Sequence, residues 1–409
     1  MDIAIVGGGA AGLATAIFAA RLMPQRRPVV LDGAAKLGTK ILISGGGRCN
    51  VTNRVVTAAD FCGGSPNVIK RVLAALPIAD TLAFFREIGV ELREEAGGKL
   101  FPTTNRASTV LEAIMNEADR LGVRILTRRR VTAVRRDACG FQIDAGSSTM
   151  SAGTLVLATG GQSFPKTGSD GSGYRLAQAL GHTLIKQTPA LAPLVLDGEF
   201  HVSLSGISHP VELTVRAVGS KPVRVRGEML WTHFGISGPA VLDVSRHWHR
   251  ARSDGREVTV SANFLPGEDI AGMTGRLLAL TAAQPRVQLH NALARLLPVR
   301  VANALLDAVG VPRATPMAHL SKDFRRKVVK ALVAWPVPVR DSRGYAHAEA
   351  TAGGVPLTEV DPRSLASRKC PGLYLAGEIL DVDGRIGGFN FQWAWASARV
   401  VATALARGS

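Results

Sequence analysis

The feature that most constrains the fold is a glycine-rich turn between a short apolar segment and a helical one. Residues 3–6 form a predicted strand, and Gly7, Gly9 and Gly12 then occupy the fixed positions of G-x-G-x-x-G. In a βαβ unit the first glycine permits the turn, the second lets a pyrophosphate approach the backbone, and the third lets the helix pack on the strand. The helix N-terminus adds free N–H groups and the positive end of its dipole. The pattern predicts a dinucleotide-binding Rossmann-type unit.

An acidic residue follows at the distance that such a unit requires. Asp32 ends the second predicted strand and lies about 20 residues beyond Gly12. A carboxylate at this position accepts hydrogen bonds from ribose hydroxyls and disfavours a 2′-phosphate. The dinucleotide is therefore FAD or NAD rather than NADP, and this segment alone does not choose between the two.

The chain is long enough for more than one domain. It has 409 residues, of which 46% are hydrophobic and 44 are glycines, which is typical of a soluble α/β enzyme with many tight turns. Over 65–89 two helical stretches meet at Pro77. Strand-like alternation over 211–217 and 258–264 gives way to helical periodicity over 287–297 and 324–335. We therefore predict one dinucleotide-binding domain in two parts, 1–186 and 337–409, interrupted by a β-rich domain over 187–265 and a helical domain over 266–336.

The sequence argues against several classes of protein. Its apolar runs are far shorter than the roughly 20 residues that cross a bilayer, and a strand that starts at Asp2 leaves no room for a secretory leader. Cys49, Cys62, Cys139 and Cys370 have no C-x-x-C spacing, so we expect no zinc, iron–sulfur or other metal site. We expect a cytoplasmic protein that does not cross a membrane.

The formal charge of +17 raises the question of a polyanionic partner. Basic residues are spread along the chain, and the densest clusters, residues 128–130 and 135–136, fall on a predicted pair of strands. Dispersed cations neutralise few phosphates at once. We therefore interpret the charge as a solvated basic surface, expect weak RNA and DNA binding that disappears near physiological salt, and do not expect a nucleic-acid partner.

Further along the chain lie more specific motifs. Residues 40–53 read KILISGGGRCNVTN, and after them come GISGP at 235–239, ATAGGV at 350–355, GE at 377–378, and DVDG with GGFNFQWA over 381–394. In this order they resemble the HI0933-like or BaiN-like family of bacterial NAD(P)/FAD-dependent oxidoreductases. The departures are Asp32, where glutamate is common, and Ser397-Ala398-Arg399, where serine and glycine are more usual. Neither removes a group that FAD binding needs.

The resemblance implies an α/β fold with a Rossmann-type two-dinucleotide-binding FAD domain, split by the inserted β-rich and helical domains. The helix that opens after Gly388 would point its N-terminus at the negative charge of a reduced flavin. The implied cofactor-binding residues are Gly7, Gly9, Ala11, Gly12 and Asp32 at the ADP half; Val131 at the adenine; Lys40, Gly45, Gly46, Gly47, Arg48, Cys49 and Asn50 near the pyrophosphate and flavin; Thr159, Gly160 and Gly161 against the nucleotide; and Gly377, Glu378, Gly387, Gly388, Phe389, Asn390 and Gln392 over the ribityl chain and isoalloxazine.

The sequence does not identify a catalytic acid or base. Arg48 would contact the flavin or an anionic substrate, or else pair with a carboxylate. His233 is the best histidine candidate for proton transfer, although a lone histidine among aromatic residues is more often structural. Tyr345 and His347 precede the ATAGGV motif and are weaker candidates. Cys49 has no resolving cysteine at paired spacing, so we interpret it as a small packing residue rather than a redox thiol.

The predicted function is an FAD-dependent oxidoreductase. NADH or NADPH reduces the flavin, which then passes hydride to a small unsaturated, enone-like substrate; the substrate class is implied by the resemblance. A second G-x-G-x-x-G in a βαβ context is absent from the sequence, so NAD(P)H would bind only transiently. The alternatives are a flavoprotein that acts on RNA, for instance in tRNA modification, and a non-enzymatic flavin-binding redox sensor. The sequence leaves the oligomeric state open.

Overall fold

The computed structural model describes residues 1–146 and 148–408. The helices are α1 (Ala10–Leu22), α2 (Thr39–Gly47), α3 (Pro66–Ala74), α4 (Ile78–Glu87), α5 (Ala107–Arg120), α6 (Ser172–Ala179), α7 (Pro239–Ser253), α8 (Ile270–Ala283), α9 (Leu289–Leu293), α10 (Val299–Ala308), α11 (Lys322–Val333) and α12 (Phe389–Arg407).

The strands fall into several sheets, described below. They are β1 (Ile3–Val6), β2 (Val29–Leu31), β3 (Thr52–Asn53), β4 (Phe61–Gly63), β5 (Leu92–Glu95), β6 (Lys99–Pro102), β7 (Arg124–Leu126), β8 (Val131–Asp137), β9 (Gly140–Ala145), β10 (Ser148–Ala152), β11 (Thr154–Leu157), β12 (Ile185–Ala190), β13 (Leu194–Leu196), β14 (Ser208–Ala217), β15 (Val223–Thr232), β16 (Gly235–Ser237), β17 (Val258–Asn263), β18 (Trp335–Val337), β19 (Val339–Ser342), β20 (Ala350–Gly354), β21 (Leu373–Leu375) and β22 (Val382–Gly384).

The chain folds into two compact units. The split unit is made of Met1–Pro189 and the stretch from Ala348 onward, and the inserted unit is Ala190–His347. The sequence boundaries at 186/187 and 336/337 therefore differ from the structural division. The difference at the second boundary has a simple cause: β19 hydrogen-bonds antiparallel to β13, so residues just after 336 belong with the inserted unit.

A five-stranded parallel sheet forms the centre of the split unit. Its order is β21-β11-β1-β2-β7, with Ile5 of β1 opposite Val156 on one side and Val30 on the other. All four residues of β1 are buried, as expected for a parallel strand covered on both faces. The predicted α/β class with a Rossmann-type sheet is confirmed. Because parallel strands end at one edge, the segments after β1, β11 and β21 meet there.

Smaller antiparallel sheets complete the split unit. They are β10-β9-β8, β3-β6-β5 and β22-β4, with the pair β12-β20 beside them. The predicted break between two helices at Pro77 is present, since α3 ends before it and α4 begins after it. Residues 128–130, which the sequence places on a strand, lie instead in the turn between β7 and β8, where Arg128 has a φ of 56°.

The first and last helices join the two ends of the chain within the split unit. Residues 11–20 of α1 are all buried, so the helix is enclosed rather than amphipathic. Helix α12 packs along it. Trp393 of α12 donates its indole N–H to the carbonyl of Gly377 at 3.1 Å, and Ser397 accepts from the Gly377 N–H at 2.9 Å. The C-terminal helix is thereby fixed to the edge where the parallel strands end.

The inserted unit is built on a seven-stranded sheet in the order β18-β17-β14-β15-β16-β13-β19. Helix α7 packs on this sheet, and residues of α8 to α11 share its hydrophobic core. The β-rich and helical parts that the sequence separates at 265/266 therefore form one compact unit. None of the helices described for residues 1–146 and 148–408 is long and apolar enough to span a bilayer.

Candidate functional site

The glycine turn, residues 7–12, leads from β1 into α1. A Cβ atom added to Gly12 would lie 1.8 Å from the carbonyl oxygen of Gly7, so this position admits only glycine. A Cβ on Gly9 would meet nothing within 4 Å, and Gly9 has an ordinary φ of −86°. Within the described residues no side chain caps α1. The protein's own packing does not explain Gly9, whereas a phosphate close to the helix N-terminus does.

Asp32 lies beside this turn. Its carboxylate accepts the N–H of Gly8 at 2.6 Å and the N–H of Ala34 at 2.7 Å. Each carboxylate oxygen has two lone pairs, so one acceptor position per oxygen is left for ribose hydroxyls. The side chain of Arg130 lies against Gly33, and Val131 begins β8 directly after it. The predicted adenosine residues are therefore close neighbours.

A polar cluster joins four distant segments at the edge of the parallel sheet. Lys40 donates to a carboxylate oxygen of Glu378 at 2.7 Å and to the hydroxyl of Ser163 at 2.5 Å. Glu378 also accepts the N–H of Thr351 at 2.8 Å and that of Gly161 at 3.2 Å. The side chains of Lys40 and Glu378 are 28% and 18% exposed, so the ion pair is only partly screened by solvent. The structure thus brings together Lys40, Gly161 and Glu378.

Two members of this cluster were not identified as site residues from the sequence. The Thr351 hydroxyl accepts the N–H groups of Gln162 at 2.8 Å and Ser163 at 3.1 Å, and Ser163 is fully buried. Thr351 stands in the ATAGGV motif, and Ser163 closely follows Gly161. Their positions in or beside these motifs were the only feature of the sequence that could have identified Thr351 and Ser163 as site residues. Their hydrogen-bond partners lie too far away in the sequence to be predicted from residue spacing.

Two hydroxyl groups near this cluster are buried without a hydrogen-bond partner among the described residues. They are Oγ1 of Thr159, which follows β11, and Oγ of Ser169, which lies next to Gly160. Leaving a buried hydroxyl unsatisfied costs about 1–3 kcal/mol. A polar ligand that reaches this edge would remove that cost. The free space at Gly9, the acceptors of Asp32 and these hydroxyls fit a dinucleotide.

The glycine loop, residues 45–47, ends α2. The backbone leaves helical geometry at Ser44, and the three glycines take φ values of 55°, 70° and 82°. This left-handed region is costly for residues with a Cβ atom. A Cβ on Gly46 would touch nothing within 4 Å, so backbone conformation alone restricts that position within the chain. Because its three residues have no side chains, the loop offers its backbone N–H and C=O groups for direct contact.

Cys49 follows the glycine loop and is completely buried. Burial raises the pKa of its thiol to about 12, against a smaller opposite effect of the hydrogen bond with Ser44. The thiol therefore stays protonated at neutral pH, and a protonated thiol is a poor nucleophile. This environment agrees with the interpretation of Cys49 as a packing residue.

Arg48 pairs with a carboxylate, which is one of the alternatives that the sequence left open. Its guanidinium donates to both oxygens of Glu95, at 3.0 and 3.1 Å, and lies 4.1 Å from the centre of the Phe101 ring. Burial opposes ionisation of Glu95, but the hydrogen bonds from Arg93 and Arg48 outweigh it and lower its pKa. Arg48 is therefore held in place by protein contacts, and Asn50 nearby accepts the N–H of Leu100 at 3.2 Å.

The predicted residues before and within α12 are bound to protein groups. The amide of Gln392 donates to the carbonyl of Leu76 at 2.8 Å and accepts from Thr52 at 2.8 Å. Asn390 makes two hydrogen bonds of 2.9 Å with the backbone of Gly384. The carbonyl of Gly387 accepts from Asn53, Gly388 lies against the Thr52 backbone, and Phe389 is fully buried. These contacts fix the start of α12 beside β3.

The remaining candidates lie in the inserted unit. His233 is exposed between β15 and β16 and meets the Phe234 ring edge-on at 5.1 Å. Burial raises the pKa of Tyr345 to about 12, while burial and then Arg343 lower the pKa of His347. Every predicted cofactor-binding residue, in contrast, lies in the split unit.

Three comparisons show which known proteins this chain resembles. The profile of the family described as HI0933-like protein Rossmann domain matches residues 1–404. The 3-dehydro-bile acid delta(4,6)-reductase of Clostridium scindens is 34% identical over 404 residues, which cover 99% of this chain and 98% of that protein. The ribosomal RNA dihydrouridine synthase of Escherichia coli is also 34% identical, over 403 residues and 97% and 96% of the two chains. The predicted resemblance is confirmed.

Solved structures agree at the level of the fold. An E. coli quinol fumarate reductase superposes with a TM-score of 0.52 at 17% sequence identity, covering 100% of this chain and 70% of the other. At this identity the likeness shows a shared fold only.

Proposed function

Because the chain belongs to the family described as HI0933-like protein Rossmann domain, we propose that it is an FAD-dependent oxidoreductase that reduces a carbon–carbon double bond conjugated to a carbonyl group. The electron donor in this proposal is NADH or NADPH. The observation that carries the cofactor assignment is the free space at Gly9 in front of the uncapped N-terminus of α1. A Rossmann turn with that space suits a bound pyrophosphate.

In this proposal different residues of the split unit bind different parts of FAD. In this proposal the N–H groups at the start of α1 bind the pyrophosphate, Asp32 binds ribose hydroxyls, and Thr159 and Ser169 donate their unpartnered hydroxyls. Lys40 adds positive charge that Glu378 orients. The glycine loop and the segment 377–390 supply main chain near the flavin ring. When bound, FAD would supply hydride-transfer chemistry between NAD(P)H and the substrate.

The substrates indicated by the names of the two relatives have one chemical feature in common. A 3-dehydro steroid with a 4,6-diene has a carbon–carbon double bond conjugated to its 3-oxo group, and uridine has its C5=C6 bond conjugated to the C4 carbonyl. In the proposed reaction of this chain, hydride adds to the carbon of the double bond remote from the carbonyl, and a proton from water adds to its neighbour. One NAD(P)H is oxidised for each double bond that becomes a single bond. We assign this reaction class to the chain, with a small enone-like molecule as the first candidate substrate.

Anaerobic flavin spectroscopy tests the proposal. The purified protein should be yellow and release about one FAD, not FMN, per chain; NADH or NADPH should bleach the flavin band. A 3-oxo-4-ene steroid should then restore the band, whereas the matched saturated 3-oxo steroid should not. A folded protein that takes up no FAD, or a reduced flavin that no conjugated substrate reoxidises, would refute the proposal.

A second candidate substrate is uridine within RNA. It is favoured by the formal charge of +17, which a neutral or monoanionic small molecule does not need, and by the RNA-acting relative at 34% identity. In the same apparatus, uridine-containing RNA would restore the flavin band, whereas RNA already converted to dihydrouridine would not. Reoxidation by RNA but not by steroid would select this candidate.

A further inference from the structure

The excess positive charge of the inserted unit is confined to its helical segment, residues 270–333. This segment contains ten Lys and Arg against two Asp and Glu, a net charge of +8. In the rest of the inserted unit, residues 190–269 and 334–347, ten basic residues are balanced by ten acidic ones. The charge is therefore concentrated where the whole-chain composition suggested an even spread.

Few of these cations are neutralised by neighbours. Asp307 pairs with Arg313, Asp323 pairs with Arg326 and Lys327, and Arg276 reaches Glu268 at 3.1 Å. Among residues 1–146 and 148–408, the other six cations of the segment form no salt bridge with a carboxylate: Arg286, Arg295, Arg300, Lys322, Arg325 and Lys330.

Helix α11 arranges several of the cations in a row. Lys322, Arg326 and Lys330 are four residues apart, so they share one face of the helix and recur about every 6 Å along it. All three are exposed, Arg326 by 80% of its side chain. Other residues of the helix, among them Val328, Val329 and Leu332, are buried in the core of the inserted unit. The row therefore faces solvent on a rigidly packed helix.

A second basic residue lies near the start of this helix. Gln288 pairs antiparallel with Pro316, and the carbonyl of Pro285 accepts the N–H of Ala318 at 2.9 Å. The exposed Arg286 therefore lies beside the residues that lead into α11. We call Arg286, Lys322, Arg326, Lys327 and Lys330 the basic helical face.

We propose that the basic helical face docks the phosphate backbone of an RNA; this inference rests on the second candidate function, uridine reduction within RNA. A row of cations with few competing carboxylates neutralises several phosphates at once, which is the main source of RNA affinity. A membrane-binding helix would need large apolar side chains at the surface beside its cations. In α11 Val328, Val329 and Leu332 are enclosed, and Phe324 is half-buried against the same core.

The test compares two triple variants of the full-length, FAD-loaded protein. The first carries Lys322→Gln, Arg326→Gln and Lys330→Gln. The control carries Arg26→Gln, Lys70→Gln and Arg71→Gln, which removes the same charge from exposed positions of the split unit. The flavin absorbance and the melting temperature should match the wild type in both, since all six side chains are exposed. The probes are a fluorescein-labelled RNA hairpin with a uridine-rich loop and vesicles containing phosphatidylglycerol.

We expect the first variant to bind the hairpin roughly 10- to 100-fold more weakly than wild type at about 0.15 M salt, with a salt slope reduced by about 3. The control should lose less than about 3-fold. Equal losses in both variants, no hairpin binding by the wild type, or binding to the vesicles in place of RNA would overturn the docking surface. Reoxidation of the reduced flavin by uridine-containing RNA is measured in parallel with the wild type. If the RNA reoxidises the flavin while both variants bind the hairpin equally, only the docking surface is wrong; if RNA does not reoxidise the flavin, the second candidate function itself is refuted.

Discussion

The glycine turn and the glycine loop of the split unit use the same residue type for different reasons. In the turn, Gly12 is required because a Cβ would overlap the carbonyl oxygen of Gly7, whereas Gly9 has an ordinary backbone and free space around it. In the loop, residues 45–47 are required because three successive φ values are left-handed. The protein itself explains the loop glycines and Gly12, but it does not explain Gly9. A glycine that neither the backbone conformation nor the packing of the protein requires, such as Gly9, indicates space for a ligand.

The sharpest test of this difference is Gly9→Val. The variant should fold, because the valine side chain enters free space at an allowed φ, yet it should lose FAD because the side chain occupies the pyrophosphate position. We expect no retained flavin after purification and an apo-protein melting curve close to that of the stripped wild type. The matched variant Gly12→Val should fail to fold. Retention of FAD by Gly9→Val would place the dinucleotide elsewhere.

Asp32→Ala should have a smaller effect. It removes the proposed ribose hydrogen bonds and the two backbone contacts with Gly8 and Ala34, so FAD affinity should fall by about 1–3 kcal/mol, or roughly 5- to 150-fold. The measurement is the dissociation constant of FAD from the reconstituted apoprotein. Asp32→Asn, which keeps an acceptor oxygen and the size of the side chain, should lose less. Unchanged affinity in both variants would contradict the assigned ribose site.

A change in the glycine loop should be milder still. Gly46→Ala forces a Cβ into a φ of 70°, at a cost of about 1–2 kcal/mol, and should weaken FAD binding by roughly 5- to 30-fold if the loop must keep this shape. Gly46→Asn is the matched control, since asparagine tolerates the left-handed region better and should recover part of the loss. Equal affinity for alanine and wild type would show that the loop shape does not matter for FAD.

Cys49→Ser should change least. The thiol is buried and its pKa is raised to about 12, so it is protonated throughout the neutral range and should not exchange electrons with a flavin. The variant should keep FAD and its reduction by NAD(P)H. A thiolate-to-flavin charge-transfer band in the reduced wild type that disappears in Cys49→Ser, together with activity, would reverse this conclusion.

The sequence predicted the parts of the fold that depend on local pattern. Strand β1, the glycine turn, α1 and the helix break at Pro77 are each specified by residues within a few positions of one another. The polar cluster was not predictable in the same way. Its key contacts join Lys40 to Ser163 and Glu378, which are 123 and 338 residues away, and no periodic pattern reports such pairs. Only the resemblance to a family placed Lys40 and Glu378 in one site.

The concentration of positive charge in residues 270–333 was not predicted from the sequence, for a different reason. The whole-chain value of +17 combines +9 from the split unit with +8 from the inserted unit, and within the inserted unit all of the excess lies in residues 270–333. The arginines at residues 128–130 and 135–136 form dense runs in the sequence, whereas the ten cations of residues 270–333 are spaced along α11 and the segments before it. Four-residue spacing makes no dense run in a sequence, but it does make a dense row on a helix.

The union of the two chain ends in one sheet also sets when the protein becomes functional during synthesis. Strands β1 and β21 belong to the same parallel sheet, and α12, the last helix of 19 residues, packs on α1, the first. Contacts of such long sequence separation form late. Before α12 is synthesised, the surface of α1 that α12 covers in the folded protein remains exposed. The inserted unit, which is continuous in sequence, can fold before then. A nascent chain that stops before α12 therefore has a complete nucleotide fingerprint but lacks the helix that packs on α1, so stable cofactor binding has to wait until α12 has been made.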